Sequence, residues 1–292
     1  MLGWFDAYAV SIVDGIAFGL LYFTLAVGLS LVFGMMDVLN LAHGTLYLAG
    51  AYVAYALSDG GWTGLLIGLA AGVAVGLGGG AVLAAMTQPL AHRGHLDQAL
   101  LTLGLSIVGA EVFLLASGGE PLPAEPPAGL RGSVEVFGHV YPAYRLVFIA
   151  VAGVLALAVY LAFERSSLGA LVRATVADRD MVRTLGVDTR RVLFGVFAVG
   201  AVLAVIGGVL GAPIISPAPG VDGRVLVMSL VVIVIGGLGS VRGALLGALL
   251  VGQVDTLGRA IAPDYAAFLL FGAMFVVLAL RPRGLISLVK SA

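Results

Sequence analysis

An all-α bundle that crosses a membrane many times is the fold class this sequence predicts, on three observations. Only 11% of its 292 residues are charged, against roughly 25% in soluble domains, so the chain cannot cover a water-facing surface. Apolar runs near the ~20 residues that span a hydrocarbon core recur along it, and its mean hydropathy is +1.12. Glycine occurs 43 times, and small residues let membrane helices approach closely. The expectation is a single domain over 1–292 with about eight or nine transmembrane helices and a broken element near 34–44.

Residues 11–33 form the first apolar run, with a stripe of small residues at Gly15, Gly19, Ala26 and Gly28. The stretch before it has neither Lys nor Arg, unlike a signal peptide, so this helix is expected to persist. GMMDVLNLAHG (34–44) is too polar for a membrane centre and too apolar for a free loop. Apolar sequence resumes at 45–57, pauses at SDGG (58–61), and continues through 62–87. A short basic turn, 88–98, leads to a helix over 99–117. Residues 118–142 hold five of the eleven prolines, and three glutamates against one arginine mark them as an external loop. A helix at 143–163 ends in the longest polar passage, Glu164 to Arg191. Residues 192–211 span again, and 211–224 is an extended, proline-broken segment expected outside. Aliphatic 225–235 ends in GGLGSVRG (236–243), then come 244–254, DTLGRAIAPDY (255–265) and a last helix at 266–280.

The 164–191 passage holds Arg165, Arg173, Arg179, Arg183, Arg190 and Arg191, six of fifteen basic residues, interleaved with Glu164, Asp178, Asp180 and Asp188. With the 88–98 turn and the basic tail it carries the Lys/Arg excess, which predicts a cytoplasmic location for all three and for the C-terminus. If 34–44 is a true loop there are nine crossings and the chain starts outside; if 34–57 is a broken or re-entrant element there are eight and it starts inside.

Enzyme motifs are scarce. The sole lysine, Lys290, follows no glycine-rich loop, so there is no P-loop. Gly237 to Gly243 imitates a dinucleotide fingerprint, but its membrane flanks favour small-residue packing. There is no cysteine, and His43, His92, His95 and His139 are scattered; His92 and His95 could pair on one turn, but without a nearby carboxylate pair no metal site is expected. Ionisable groups within membrane segments are expensive and are functional candidates by default. Asp37, Asn40 and His43 would share one side of a helix; they either satisfy backbone freed at a break or line a substrate path. Glu111, with Ser106 and Ser117 nearby, is either a pathway group or an interhelical hydrogen-bonding one. Asp255 and Arg259 are spaced for a local ion pair. In 164–191, Leu168, Leu171, Val172, Val176, Val182 and Leu185 share a helical face, Gly186 is placed as a stop, and Arg179 intrudes on that face. Lipid contact and docking of a soluble partner both fit this composition. A faint likeness of His43-Gly44…Gly50 to Arg242-Gly243…Gly247 hints at an internal repeat.

The sequence resembles the membrane permease subunits of ABC importers for branched-chain amino acids, a family that includes urea and amide importers. The resemblance lies in Gly15, Gly19, Tyr22, Leu25 and Gly28; in Asn40-Leu41-Ala42-His43-Gly44 with Gly50 and Tyr52; in Gly169, Arg173, Ala174, Asp178, Met181 and Gly186 of the long loop; and in Gly236-Gly237-Leu238-Gly239-Ser240 with Gly243, Gly247 and Gly252. It implies a pore subunit without enzymatic activity that pairs with a sister permease and carries branched-chain or other hydrophobic amino acids across the cytoplasmic membrane. It also implies two cytoplasmic ATPases, which bind the ATP, an extracytoplasmic binding protein, surrounding lipid and no nucleic acid. The matching loop residues would form the ATPase-coupling segment, a helix over 168–185 ended by Gly186, and no cofactor is expected on this chain. Thr45 and Met228 stand where many relatives carry Glu and Lys, and Val182 where a small residue is usual; Thr45 and Met228 join Asp37, Asn40, His43 and Glu111 as pathway candidates. Urea or short-amide import remains open, as does an ion-coupled secondary transporter using Asp37, Glu111 and Asp255.

Overall fold

A computed structural model describes residues 2–36, 40–90, 95–136 and 138–286. Seven described helices are long and apolar enough to cross a membrane. They are α1 (Leu2–Met36), α3 (Trp62–Thr87), α4 (His95–Ser117), α5 (Ala143–Tyr160), α8 (Thr189–Gly211), α10 (Val241–Ile261) and α11 (Ala266–Leu280), which the 3-10 turn Pro263–Tyr265 before it extends to an 18-residue span. Two shorter apolar helices, α2 (His43–Leu57) and α9 (Val221–Gly236), complete the bundle, while α6 (Ser167–Ala177) and α7 (Arg179–Thr184) lie in the polar passage. The only described strands, Ser133–Val136 and His139–Pro142, form an antiparallel hairpin in the proline-rich loop.

Glycine sets how closely the helices approach. Along α3, Gly64, Gly68, Gly72, Gly76 and Gly80 recur every fourth residue and are all buried; Gly68, Gly72 and Gly76 form a groove against α8 in which Val209, Val205 and Val202 sit, and Gly80 meets Ala198 and Ala201. Along α1, Gly15 and Gly19 receive α10 at Gln253 and Ala248. Where α1 meets α8, Gly28 and Gly200 are reciprocal: a Cβ on Gly28 would stand 2.7 Å from the Gly200 carbonyl, and one on Gly200 3.0 Å from the Gly28 carbonyl. With so little room between backbones, this seam rests on dispersion and weak polar contacts between main chains.

The two short helices start inside the bundle. His43, at the head of α2, sets its Nε2 3.2 Å from the Leu25 carbonyl of α1. Gly44 lies directly against the Asp222 carbonyl in the first turn of α9. From there α2 runs to the end of the bundle that carries the hairpin, and α9 runs to the end that carries the arginine-rich passage. Gly34 abuts Gly239 at that basic end, and Asp14 of α1 meets Tyr141 and Arg145 at the hairpin end, so α1 runs from hairpin end to basic end. α8 runs the opposite way. The succession of one long, one half-length and two long helices thus occurs twice, as α1–α4 and α8–α11, in opposite directions: an inverted repeat. It pairs α2 with α9, so the sequence likeness of α2 to the start of α10 is not the repeat.

The break after α1 therefore does not reduce the number of crossings. α2 completes the passage that the short turn at 40–42 begins, and the first and last helices lie with their outer ends at opposite faces of the bundle. Residues 211–224, expected outside, instead descend to the centre: Pro217 O still accepts from Leu122 N of the proline-rich loop at 3.0 Å, yet Asp222 is buried against Gly44. The expected single helix over 168–185 is divided at Asp178, which is extended (φ −154°, ψ 98°) and accepts the Met181 N–H at 2.8 Å as the N-cap of α7. A side-chain cap competes with helix continuation, and the change of direction takes Arg179 off the apolar face into solvent.

Candidate functional site

Two places gather the candidate residues: the crossing of α2 and α9 at the bundle centre, and the polar passage at the basic end. At the crossing, Asn40 is buried and its Oδ1 accepts from Ala42 N at 3.2 Å, while its carbonyl accepts from His43 N at 3.2 Å. Leu41 N donates to Thr102 Oγ1 of α4 at 3.1 Å. These bonds satisfy backbone groups that a broken helix leaves free. His43 is fully enclosed; Nε2 meets the Leu25 carbonyl, and Nδ1 has no hydrogen-bond partner among the described residues. Thr45 faces α4 with Oγ1 3.1 Å from Ser106 Oγ.

Other pathway candidates lie apart. Asp37 falls outside the described residues. Glu111 is exposed on α4, and Ser117 turns back to its own Leu114 carbonyl. Met228 is half-buried against the apolar core. Three residues at or near the centre carried no signal as candidates: Thr102 and Ser229 are ordinary polar residues in apolar runs, and Asp222 sat in a segment whose prolines suggested an exterior loop. All three are buried. Among the described residues no three His, Asp or Glu side chains converge to hold a metal ion.

Ion pairs brace the hairpin half. Asp255 and Arg259 form the local pair their spacing predicts, at 2.8 Å with Asp255 buried. Asp14 accepts from Arg145 at 2.6 Å and from the Tyr141 hydroxyl at 2.7 Å, tying α1 to the hairpin and α5. Burial first, and then the bond to Asp14, push the Tyr141 phenol well above its ordinary value of 10.0.

At the basic end, α5 runs into a π-helical turn, Leu161–Arg165, before Ser166 caps α6 by accepting Gly169 N at 3.1 Å. Gly169 is pressed against the Phe163 carbonyl, which also accepts from Arg173 Nη1. Ala174 is exposed, and its carbonyl accepts the Asp178 N–H that closes α6. α7 ends in a Schellman motif: Gly186 N bonds Arg183 O, Val187 N bonds Val182 O, and Gly186 has φ +82°. Val182 is buried, whereas Leu168, Met181 and Leu185 are 71%, 61% and 73% exposed. The passage thus presents two capped helices whose outward face mixes arginines with large apolar side chains.

Residues 11–278 match the family described as the branched-chain amino acid transport system permease component. The chain is 28% identical to the high-affinity branched-chain amino acid transport system permease protein BraD of Pseudomonas aeruginosa, over 96% of this chain and 95% of that protein. It is 26% identical to the corresponding permease protein LivH of Escherichia coli, over 94% and 93%. To the permease protein LivM of the same organism it is 28% identical, over 95% of this chain and 70% of that one. No solved structure matches it. A match across nearly the whole length, onto a multi-pass helical bundle, settles the assignment: this chain belongs to the family of branched-chain amino acid transport system permease components.

Proposed function

We propose that this chain is the pore-forming permease subunit of an ATP-driven importer that carries branched-chain amino acids across the cytoplasmic membrane. The observation that carries the reading is the family match over residues 11–278, with full-length relatives whose names specify that substrate class. The basic end faces the cytoplasm with the C-terminus, because Lys and Arg concentrate there. ATP is bound and hydrolysed by two partner ATPases, since the sequence has no P-loop of its own. The 164–191 passage is their coupling segment. Its arginines supply charge, and its exposed Leu168, Met181 and Leu185 supply apolar anchors in the manner of a helix laid into a groove. A second permease covers part of the outer helices, and an extracytoplasmic binding protein delivers substrate to the hairpin end.

In this reading the substrate passes near the point where α2 and α9 begin. Broken helices at mid-depth are the usual site of recognition in membrane transporters. Asn40, His43 and Thr45 are the nearest pathway residues; Asp37, Glu111 and Met228 are secondary candidates. Radiolabelled leucine uptake into proteoliposomes tests the proposal, using the chain with its co-purified ATPases and binding protein. Uptake should require internal ATP and resist ionophores. Uptake without ATP, or competition by urea or acetamide but not by valine and isoleucine, would overturn it. Within the same assay, Arg173→Glu should keep the permease folded and abolish ATP-driven uptake.

A further inference from the structure

The junction between α9 and α10 is held from three sides. Gly239 N donates to Ser30 Oγ of α1 at 3.0 Å. Leu285 N and Ile286 N, beyond α11, bond the Ile235 and Gly236 carbonyls that end α9, at 2.8 and 3.0 Å. On the third side Arg242, in the first turn of α10, reaches the polar passage: its Nε lies 2.8 Å from Glu164 Oε2. The same guanidinium sits 5.2 Å from the centre of the Tyr160 ring and donates to Tyr160 Oη at 3.2 Å. Tyr160 is the last residue of α5, and Glu164 lies within the π-helical turn that follows. Arg242 therefore grips that turn at both of its ends. Glu164 is only 14% exposed in this pair, while Asp180–Arg183 and Asp188–Arg191 close within the passage itself.

We infer that Arg242 is a positioning residue for transport: its bond to Glu164 is a strut that stays closed through the cycle and moves the α9–α10 junction with the coupling segment. The inference rests on the importer reading and adds the route by which the stroke enters the bundle. Gly169 and Arg173 fasten α6 to the Phe163 carbonyl inside the π turn, so a tilt of α6 carries the turn with it. The turn carries Arg242, and Arg242 carries the foot of α9, whose head lies against Gly44 at the bundle centre. Packed helices transmit such displacements because they have discrete arrangements and do not deform continuously. The guanidinium fork, which bonds Glu164 through Nε and Tyr160 Oη through Nη2 at once, makes this a geometric link that a lysine would not reproduce. Arg242 is half-exposed, so water reaches the Glu164 carboxylate when the arginine is replaced, at a smaller cost than stranding the more deeply buried Asp255, and removing both partners together strands no charge.

The native chain has no cysteine, which permits a direct test in the ATPase complex reconstituted with binding protein and radiolabelled leucine. Arg242→Gln should retain its ATPases on purification and still hydrolyse ATP, while leucine moved per ATP falls by about fivefold or more. Paired Glu164→Cys and Arg242→Cys changes should show the same loss. A short reducible bis-methanethiosulfonate bridge between the two cysteines should restore coupling, and reductant should remove it again. Full coupling in Arg242→Gln overturns the strut, as does a cross-linked form no better than the unlinked one. Loss of the ATPases from Arg242→Gln also overturns it, since the residue would then serve assembly. If the unaltered complex takes up leucine without ATP, the importer reading itself fails, a result separable from all of these.

Discussion

Gly28→Ala offers a sharp test of the packing, because its expected cost follows from the geometry. The added Cβ would stand 2.7 Å from Gly200 O, 3.1 Å from Gly200 Cα and 3.0 Å from His43 Nε2. The first of these is shorter than ordinary van der Waals contact by about 0.7 Å, and the obstacle is backbone, which cannot rotate aside. α1 and α8 must separate, or α2 must shift with His43. Overpacking of this kind costs about 1–3 kcal/mol, offset by up to ~1 kcal/mol from alanine's better helix preference. The control is Gly195→Ala in the same α8, where a Cβ meets nothing within 4 Å and only the favourable propensity term acts. The two variants should differ by about 2 kcal/mol, or roughly 5 °C in the midpoint of detergent-solubilised thermal unfolding. Equal midpoints would refute the claim that the two halves meet backbone to backbone at Gly28.

Three further outcomes are expected. Arg259→Ala should destabilise more than the double change Asp255→Ala/Arg259→Ala in denaturant unfolding, because the single change strands a buried carboxylate. Tyr141→Phe should cost about 1–2 kcal/mol at pH 7 by removing a bond to Asp14. The raised phenol contributes stability fully below its ordinary value of 10.0 and loses it as pH climbs further, so midpoints measured at pH 7 and near 11 should converge between variant and parent. Asp178→Ala should loosen α7 by about 1 kcal/mol through loss of its cap, seen as faster amide exchange at Met181 and Val182, with α8 unaffected.

The long apolar runs, the small-residue seams of α1 and the glycine stop after α7 were legible because each depends on local spacing. The break at 34–44 was visible as well, since polar Asn40 and His43 interrupt an apolar period. Its meaning was not, because the partner of α2 is α9, about 180 residues away, and helix direction within a bundle leaves no periodic trace. Asp178 misled for a related reason: an aspartate within an apolar-faced stretch reads as a solvated charge until its side chain is seen to cap the following turn. Arg242 looked like part of a glycine-rich packing motif, and its carboxylate partner lies 78 residues earlier at the edge of the polar passage. Glu111 was singled out by its place inside an apolar run, and it is exposed on α4 of the single chain; which face of a membrane helix is covered leaves no mark in the sequence.

Two copies of one unit, folded in opposite directions about the Gly28–Gly200 seam, bear on the energy of the protein's conformers. A rearrangement that widens one mouth has a counterpart, of related geometry, that widens the other. Conformers related in this way differ mainly through the residues in which the halves are unlike, so their free energies are expected to lie close together. To carry such a pair from 1:99 to 99:1 takes about 5.5 kcal/mol. The asymmetry of the chain is concentrated in α5–α7, which lies between the repeats and belongs to neither.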